Sequence, residues 1–377
     1  LPEENCNMNP LNSAFLERSK RIQQAISLQK PDRVPVVLEF AGFAAQVTGT
    51  TMANYISSPS RATQVMIQAF ELVGGGDAIN YGSFSPYHLC TLFGAKVRLP
   101  GYELPEHELW QVVETEIMTR RDYKRIQEIG WPTFFEGFCA ERLLEDALPG
   151  LLPANQKSVD VKGLWEDRGI PILTGGDITT PFELLCGARS LENFFQDLVE
   201  IPDTVERVME AILPGLAGPA CSNARQKGFP VVWIGGWRTA PDMLSPQMWD
   251  RFVWPYFKYL VQEVIDSGLT PLLHLDSCWE RELHRFLEFP DGTLLVALDG
   301  ETDIYKAKDI FNGRQCIMGD VPASLLAFGQ PREVYDYSKE LVENIGPRGF
   351  ILQSGCDIPA NAKLENVQAM VAAAIDK

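Results

Sequence analysis

Pro271-Leu-Leu-His274-Leu-Asp276-Ser-Cys278-Trp279 is the stretch on which the reading of this chain turns. Residues 271–275 form an apolar run without strict alternation, the pattern of a strand buried on both faces. Polar, chemically capable residues follow at once. Upstream, residues 248–267 carry apolar side chains at three- and four-residue spacing, which predicts an amphipathic helix. Helix, turn, apolar run and polar strand end together make one β/α unit.

Outward from this unit the pattern recurs. Strands are expected at residues 34–40, 78–81, 170–174, 231–235, 271–275, 294–298, 315–318 and 350–353, and further helices at 204–216, 331–345 and 365–375. Ser245-Pro246 and Pro331-Arg332-Glu333 place proline at an early helical position, a usual helix start. Eight alternations predict one α/β domain over residues 1–377, a (β/α)8 barrel, because both ends of the chain then have a place to close. An open doubly wound sheet is the alternative. Residues 83–169 are too many for one loop and predict a helical insertion between early strands, with a hairpin near residues 95–99. Such an insertion commonly helps to form a substrate pocket.

Composition narrows the partners. The 377 residues are 45% hydrophobic and 22% charged, enough for a sizeable core. Lys and Arg total 33 against 50 Asp and Glu, a net charge of −17, with no block of like charge. This argues against nucleic acid and anionic membranes. No apolar run reaches the ~18 residues of a membrane span. Eight cysteines (6, 90, 139, 186, 221, 278, 316 and 356) are scattered without a C-x-x-C, which points to a reduced, cytoplasmic protein with one thiol-using site. Residues 1–7 lack the basic and apolar regions of a secretory leader. Met8 is a candidate natural start with an added remnant before it, a genuine acidic N-terminus being the equal alternative.

In a barrel the informative residues sit at the C-terminal ends of strands. There the chain places Glu39, Asn80-Tyr81, Asp177, Trp233 and Trp237, then His274-x-Asp276-x-Cys278, Asp299, Asp320 and Cys356-Asp357. In extended backbone, residues 274, 276 and 278 face one side, provided the chain does not turn at Asp276. With Cys356 from another strand end they form an imidazole, carboxylate and thiol set that suits tetrahedral Zn²⁺ better than Mg²⁺ or Ca²⁺. The plainer alternatives are a hydrogen-bonded core histidine, a small buried cysteine, and helix-capping roles for Asp276 and Asp299. Glu39 ends a strongly apolar run and there needs a cation, a donor or a proton. Phe43, Tyr81, Phe84, Tyr87, Trp233, Trp237 and Trp279 gather on the same face, fit for a flat apolar substrate or for core packing.

Other chemistries lack their signatures. There is no G-x-G-x-x-G after a strand, no Walker A sequence, no G-x-S-x-G elbow and no H-E-x-x-H. Gly74-Gly75-Gly76 precedes a strand and reads as a turn. No D-x-H-x-x-G is present, the mark of a protein that holds its own corrinoid.

Leu244-Ser245-Pro246-x₅-Phe252-x₂-Pro255-Tyr256-x-Lys258-x-Leu260, then Leu273-His274, resembles the uroporphyrinogen decarboxylase superfamily. Leu298-Asp299, Lys308-Asp309-Ile310, Met318-Gly319-Asp320-Val321-Pro322 and Gly355-Cys356-x-Ile358-Pro359-x₃-Lys363-x-Glu365-Asn366 continue in the family's order. Arg33-Val34-Pro35-Val36 resembles its first strand. The resemblance implies a barrel, often dimeric, and two kinds of enzyme. Porphyrinogen decarboxylases need no metal and use an arginine-rich N-terminal segment that is missing here. Cobalamin-dependent methyltransferases hold Zn²⁺ through a His, a Cys two residues on and a late Gly-Cys cysteine. By position these become His274, Asp276 and Cys356, with Cys278 the nearby cysteine.

An aspartate in place of a thiolate makes such a metal harder and more Lewis-acidic, which suits cleavage of an ether oxygen. The expectation is a zinc-dependent methyltransferase acting between a small methyl donor, an aryl methyl ether, and a separate corrinoid protein. Glu39, Asp177 or Asp299 then positions substrate or supplies a proton, and Phe43, Tyr81, Trp233 and Trp237 enclose the ring. The competing readings are methyl transfer from a methylated corrinoid to a thiol such as coenzyme M, a metal-free decarboxylase, and a non-catalytic binding protein.

Overall fold

In the computed structural model, which describes residues 10–152 and 159–376, eight short strands close into a ring. Met8 and the residues before it lie outside the described residues. In chain order the strands are β1 (Val37–Leu38), β2 (Ala78–Ile79), β3 (Lys96–Arg98), β4 (Gln111–Val113) and β5 (Thr174–Ile178), followed by β6 (Val231–Gly235), β7 (Thr270–Leu275), β8 (Leu295–Leu298), β9 (Cys316–Val321) and β10 (Phe350–Ser354). Strands β5 to β10 form a parallel sheet in sequence order, and β1 pairs β2 in parallel.

Bridges join the two sets at both edges. Val36 pairs Leu352 and Phe40 pairs Ile358 on one side, and Ile79 pairs Ile172 on the other. The Leu352 N–H donates to the Pro35 carbonyl and the Leu173 N–H to the Ile79 carbonyl, each at 2.9 Å. No edge of the eight is left open, so the fold is the (β/α)8 barrel and not the open sheet. Strands β3 and β4 stand outside the ring as an antiparallel pair. They lie among the helices Pro86–Phe93, Arg120–Ile129, Trp131–Phe138 and Val161–Glu166, between β2 and β5.

Strand alternation sorts the core into two layers. Leu38, Val232, Ile234, Leu273, Val296, Ile317 and Leu352 pack outward against the helices. Val37, Val231, Leu272, Leu295, Cys316 and Ile351 fill the barrel's lower interior, where Ile22, Ala25 and Ile26 of the helix Pro10–Ile26 join them. That helix closes the N-terminal end of the barrel. Arg21 and Arg33 both donate to the fully buried Asp77, which also accepts from the Val36 N–H, fixing the helix to the start of β1.

Three elements depart from the periodicity. Residues 170–174 read as the third strand of the barrel, but that strand, β5, runs Thr174–Ile178. Its Gly175-Gly176 pair offers no apolar pattern because the helix Ala217–Lys227 lies against it: a Cβ on Gly176 would sit 2.6 Å from the Ala220 carbonyl oxygen. Residues 248–267 read as one helix, yet the chain breaks into Pro246–Phe252 and Trp254–Asp266. Pro255 has no N–H to continue the first helix and its ring crowds the preceding turn. Likewise the helix at 204–216 starts earlier, at Pro202, and yields to a 3₁₀ turn, Leu213–Gly215, at Pro214.

Candidate metal centre and substrate cleft

His274 closes the inward-facing row of β7, one layer above Leu272, and Trp233, the register partner of Leu272, faces inward on the neighbouring β6. Their rings lie 5.5 Å apart, tilted by 32°. Asp276 follows β7 directly and Cys356 follows β10. The His274 Nε2 is 3.2 Å from Asp276 Oδ1 and 3.6 Å from Cys356 Sγ. One donor atom from each of the three residues lies within 4.8 Å of the others.

Tetrahedral zinc with bonds of about 2.0–2.3 Å separates its ligand atoms by about 3.3–3.8 Å, so the set fits that ion. Three protein ligands with the fourth side open to a cavity is the pattern of a catalytic rather than a structural zinc. Burial opposes charging of His274, but Asp276 and Cys356 overcome it and hold its pKa well above the ordinary value. Burial pushes the Cys356 thiol up, while His274 pulls it down. Both reflect a negative, recessed pocket that favours a cation.

Cys278 does not join this group. Ser277 adopts a left-handed φ of 66°, which ends the alternation that would have carried Cys278 to the side of His274. Asp299 does not line the cavity either. Its Oδ2 accepts the Ser277 N–H at 2.6 Å and its Oδ1 the Glu301 N–H at 2.9 Å, so both oxygens hold loops. Burial raises its pKa against those two bonds. Phe43 is fully buried beside Phe40 in the outer layer, at a ring distance of 5.6 Å, away from the cavity wall.

Glu39, Tyr81, Asp177, Trp233 and Trp237 do line the cavity, a cleft of about 520 Å³ that His274, Asp276 and Cys356 also wall. Glu39 is buried and accepts from Asn80 Nδ2 at 2.7 Å and Gln353 Nε2 at 2.6 Å, both on Oε2. Its Oε1 makes no hydrogen bond among the described residues. Asp357 also lines the cleft, where burial and then the neighbouring Glu39 raise its pKa. Tyr81 keeps its proton firmly, since burial and then Asp177, Glu39 and Asp357 raise its pKa. Apolar side chains complete the wall: Phe40, Phe84, Leu89, Leu92, Phe93 and Val112, with no Lys or Arg among the lining residues.

Two features escaped the sequence. His88, on the insertion helix Pro86–Phe93, reaches Asp177 with its Nε2. Burial disfavours its charged form, and Asp177 more than offsets this, raising its pKa. Being one of only four histidines was the one signal available. Arg238, 1% exposed, donates to Glu183 Oε1 at 2.6 Å and to Glu114, which follows β4. Glu183 is pushed up to about 7 by burial against the pull of Arg238. Gly236, at φ 147°, lets this loop close on Glu183, because a Cβ there would lie 2.6 Å from Glu183 Cγ. The pair ties the insertion hairpin to the barrel wall beside Trp237, whose ring the Arg238 guanidinium covers at 4.1 Å.

Comparison with known proteins agrees with this architecture. A methyltransferase from Methanosarcina mazei superimposes with a TM-score of 0.71 over 94% of this chain and 97% of its own, at 18% identity, and so shares the fold. A uroporphyrinogen decarboxylase of Syntrophotalea carbinolica is 26% identical over 215 residues, 54% of this chain and 59% of the relative. Another, of Trichodesmium erythraeum, is 29% identical over 126 residues, 33% of this chain and 35% of the relative. The matches thus span at most about three-fifths of these curated relatives. Residues 166–376 match the family described as Uroporphyrinogen decarboxylase (URO-D). That stretch runs from β5 to the last helix, carries His274, Asp276 and Cys356, and is more than half of the chain, which therefore belongs to the uroporphyrinogen decarboxylase family.

Proposed function

We propose that the protein is a zinc-dependent methyltransferase that moves a methyl group from an aryl methyl ether to a corrinoid carried by a separate protein. One observation carries this: His274, Asp276 and Cys356 converge at the base of a cleft walled by aromatic and aliphatic side chains. Zinc held there would supply Lewis acidity toward an ether oxygen, and the single carboxylate ligand makes it harder than a sulfur-rich site would.

The chain's own residues do the rest. Trp233, Trp237, Phe84 and Phe93 clasp a flat ring and exclude water from it. The C–O bond of the ether breaks with its electron pair left on oxygen, the methyl group passes to the corrinoid, and the phenolate takes up a proton. Tyr81 Oη, which lines the cleft and keeps its proton, is placed to donate a hydrogen bond to that oxygen. Glu39, held by Asn80 and Gln353, turns its second oxygen to the same space.

The decarboxylase reading fares worse. Its substrates carry several carboxylates, and this cleft presents Glu39, Asp177, Asp276 and Asp357 with no arginine or lysine. The test is to supply the zinc-loaded protein with methoxybenzenes and a reduced corrinoid acceptor and to follow the corrinoid spectrum. Methylation of the corrinoid with release of a phenol is expected. Methyl transfer from methylcobalamin to coenzyme M alone, or carbon dioxide release from a porphyrinogen, would replace this reading.

A further inference from the structure

The insertion contributes an ionisable group, His88, to a cleft wall that also holds Ser83 and Ser85 among apolar side chains. His88 lines the cleft and its side chain is 51% exposed. Its Nε2 is engaged by Asp177, while Nδ1 has no hydrogen-bond partner among the described residues. Asp177 pairs with Trp233 across the β5–β6 ladder, and Gly235 pairs with His274 across β6–β7. The strands that carry Asp177 and His274 therefore lie two apart in the wall, about 10 Å between their backbones at the usual strand spacing. One substituted benzene ring spans that gap.

Resting on the function proposed above, we infer that His88 selects aromatic ethers bearing a phenolic hydroxyl on the far side of the ring from the methoxy group, with Asp177 as its positioning residue. The chemistry favours a hydroxyl over other substituents. Protonated Nδ1 donates and neutral Nδ1 accepts, and only a hydroxyl satisfies both. Burial works against the charged ring, but Asp177 outweighs it and raises the His88 pKa, which favours the donor form. A carboxylate substituent would accept from Nδ1–H, but it would enter a cleft already holding Glu39, Asp177 and Asp357. An unsubstituted ring leaves Nδ1 unpaired against apolar neighbours, at a cost.

Binding without turnover tests this, using the whole 377-residue chain with neither corrinoid nor partner. Titration calorimetry compares 4-methoxyphenol, anisole and 4-methoxybenzoate. Wild type is expected to bind 4-methoxyphenol about tenfold more tightly than anisole, the worth of one good hydrogen bond to a charged donor. His88→Ala should erase that ratio without weakening anisole binding, and His88→Gln, which keeps an N–H, should restore part of it. Asp177→Asn should shrink the ratio and leave anisole binding intact. Equal binding of 4-methoxyphenol and anisole by wild type, an undiminished ratio in His88→Ala, or tightest binding of the benzoate would each overturn the assignment. Since no methyl transfer is involved, a retained ratio without activity would sink the proposed reaction alone, and activity without a ratio would sink the role of His88 alone.

Discussion

The Ser277 N–H donates to Asp299 Oδ2 at 2.6 Å, across the gap between β7 and β8. This bond holds the left-handed turn at Ser277, and the turn decides which side chains of the loop reach the cleft. Asp276, before the turn, stays beside His274. Cys278, after it, points elsewhere. Asp299→Ala is expected to lower zinc affinity about 10- to 100-fold, as loss of a group that orients a metal ligand does. Cys278→Ala should leave affinity unchanged. Competition against a chromophoric chelator measures both, and weakened binding in Cys278→Ala would move the ligand set.

Purified protein is expected to carry about one zinc per chain, and His274→Ala and Cys356→Ala to lose it. Each residue is at a strand end rather than inside the packed barrel, so the circular dichroism of both variants should match wild type. Elemental analysis beside the spectra decides. Full zinc in either variant would place the metal elsewhere.

Arg238→Met tests the tie between insertion and barrel. It leaves Glu183, fully buried, without its cation, which costs about 3–5 kcal/mol. Glu114→Ala removes only the half-exposed partner, 45% accessible, and should cost under about 1 kcal/mol. Urea unfolding of both variants gives the comparison. Equal losses would mean that the outer carboxylate, not the buried one, holds the hairpin.

Asp320 supplies a pH signature. Burial pushes its carboxyl up to about 6 from 3.8, while the Tyr337 hydroxyl donates to it at 2.9 Å. The folded state thus binds a proton that the unfolded chain has released between these values, so this residue's contribution to stability falls as pH rises through that window. Asp320→Asn keeps an acceptor for Tyr337 and removes the charge. It should match wild type below pH ~4 and exceed it above pH ~7 by up to about 3 kcal/mol. Thermal or urea unfolding at pH 4 and 8 reads the difference. A variant less stable than wild type at pH 8 would reverse the sign argued here.

The half of the barrel from β6 onward was legible because its strands are apolar on both faces and its helices keep strict three- and four-residue spacing. The glycines of β5 were not, since close approach of a neighbouring helix leaves no side chain to read. The cluster of His274, Asp276 and Cys356 was visible as strand-end chemistry, but alternation alone could not choose between Asp276 and Cys278. That choice depends on the backbone angle of Ser277, set by an aspartate 22 positions away. His88 with Asp177 and Arg238 with Glu114 stand 89 and 124 positions apart in the chain, and nothing local marks either pair. Phe43 looked like its aromatic neighbours because a sequence does not say which side of a strand-end helix will face the ring.

The helix Pro10–Ile26, packed under the barrel through Ile22, Ala25 and Ile26, makes the tube blind at its lower end. A blind tube has one doorway. In the reaction proposed here two visitors must use it, a small ether and a protein that bears the corrinoid, and they cannot pass one another. The ether goes in first, the protein then covers the entrance, and the spent phenol leaves only after that protein has withdrawn. Turnover is thereby a queue with a fixed order, and a crowd of corrinoid protein at the door would slow the enzyme rather than hasten it.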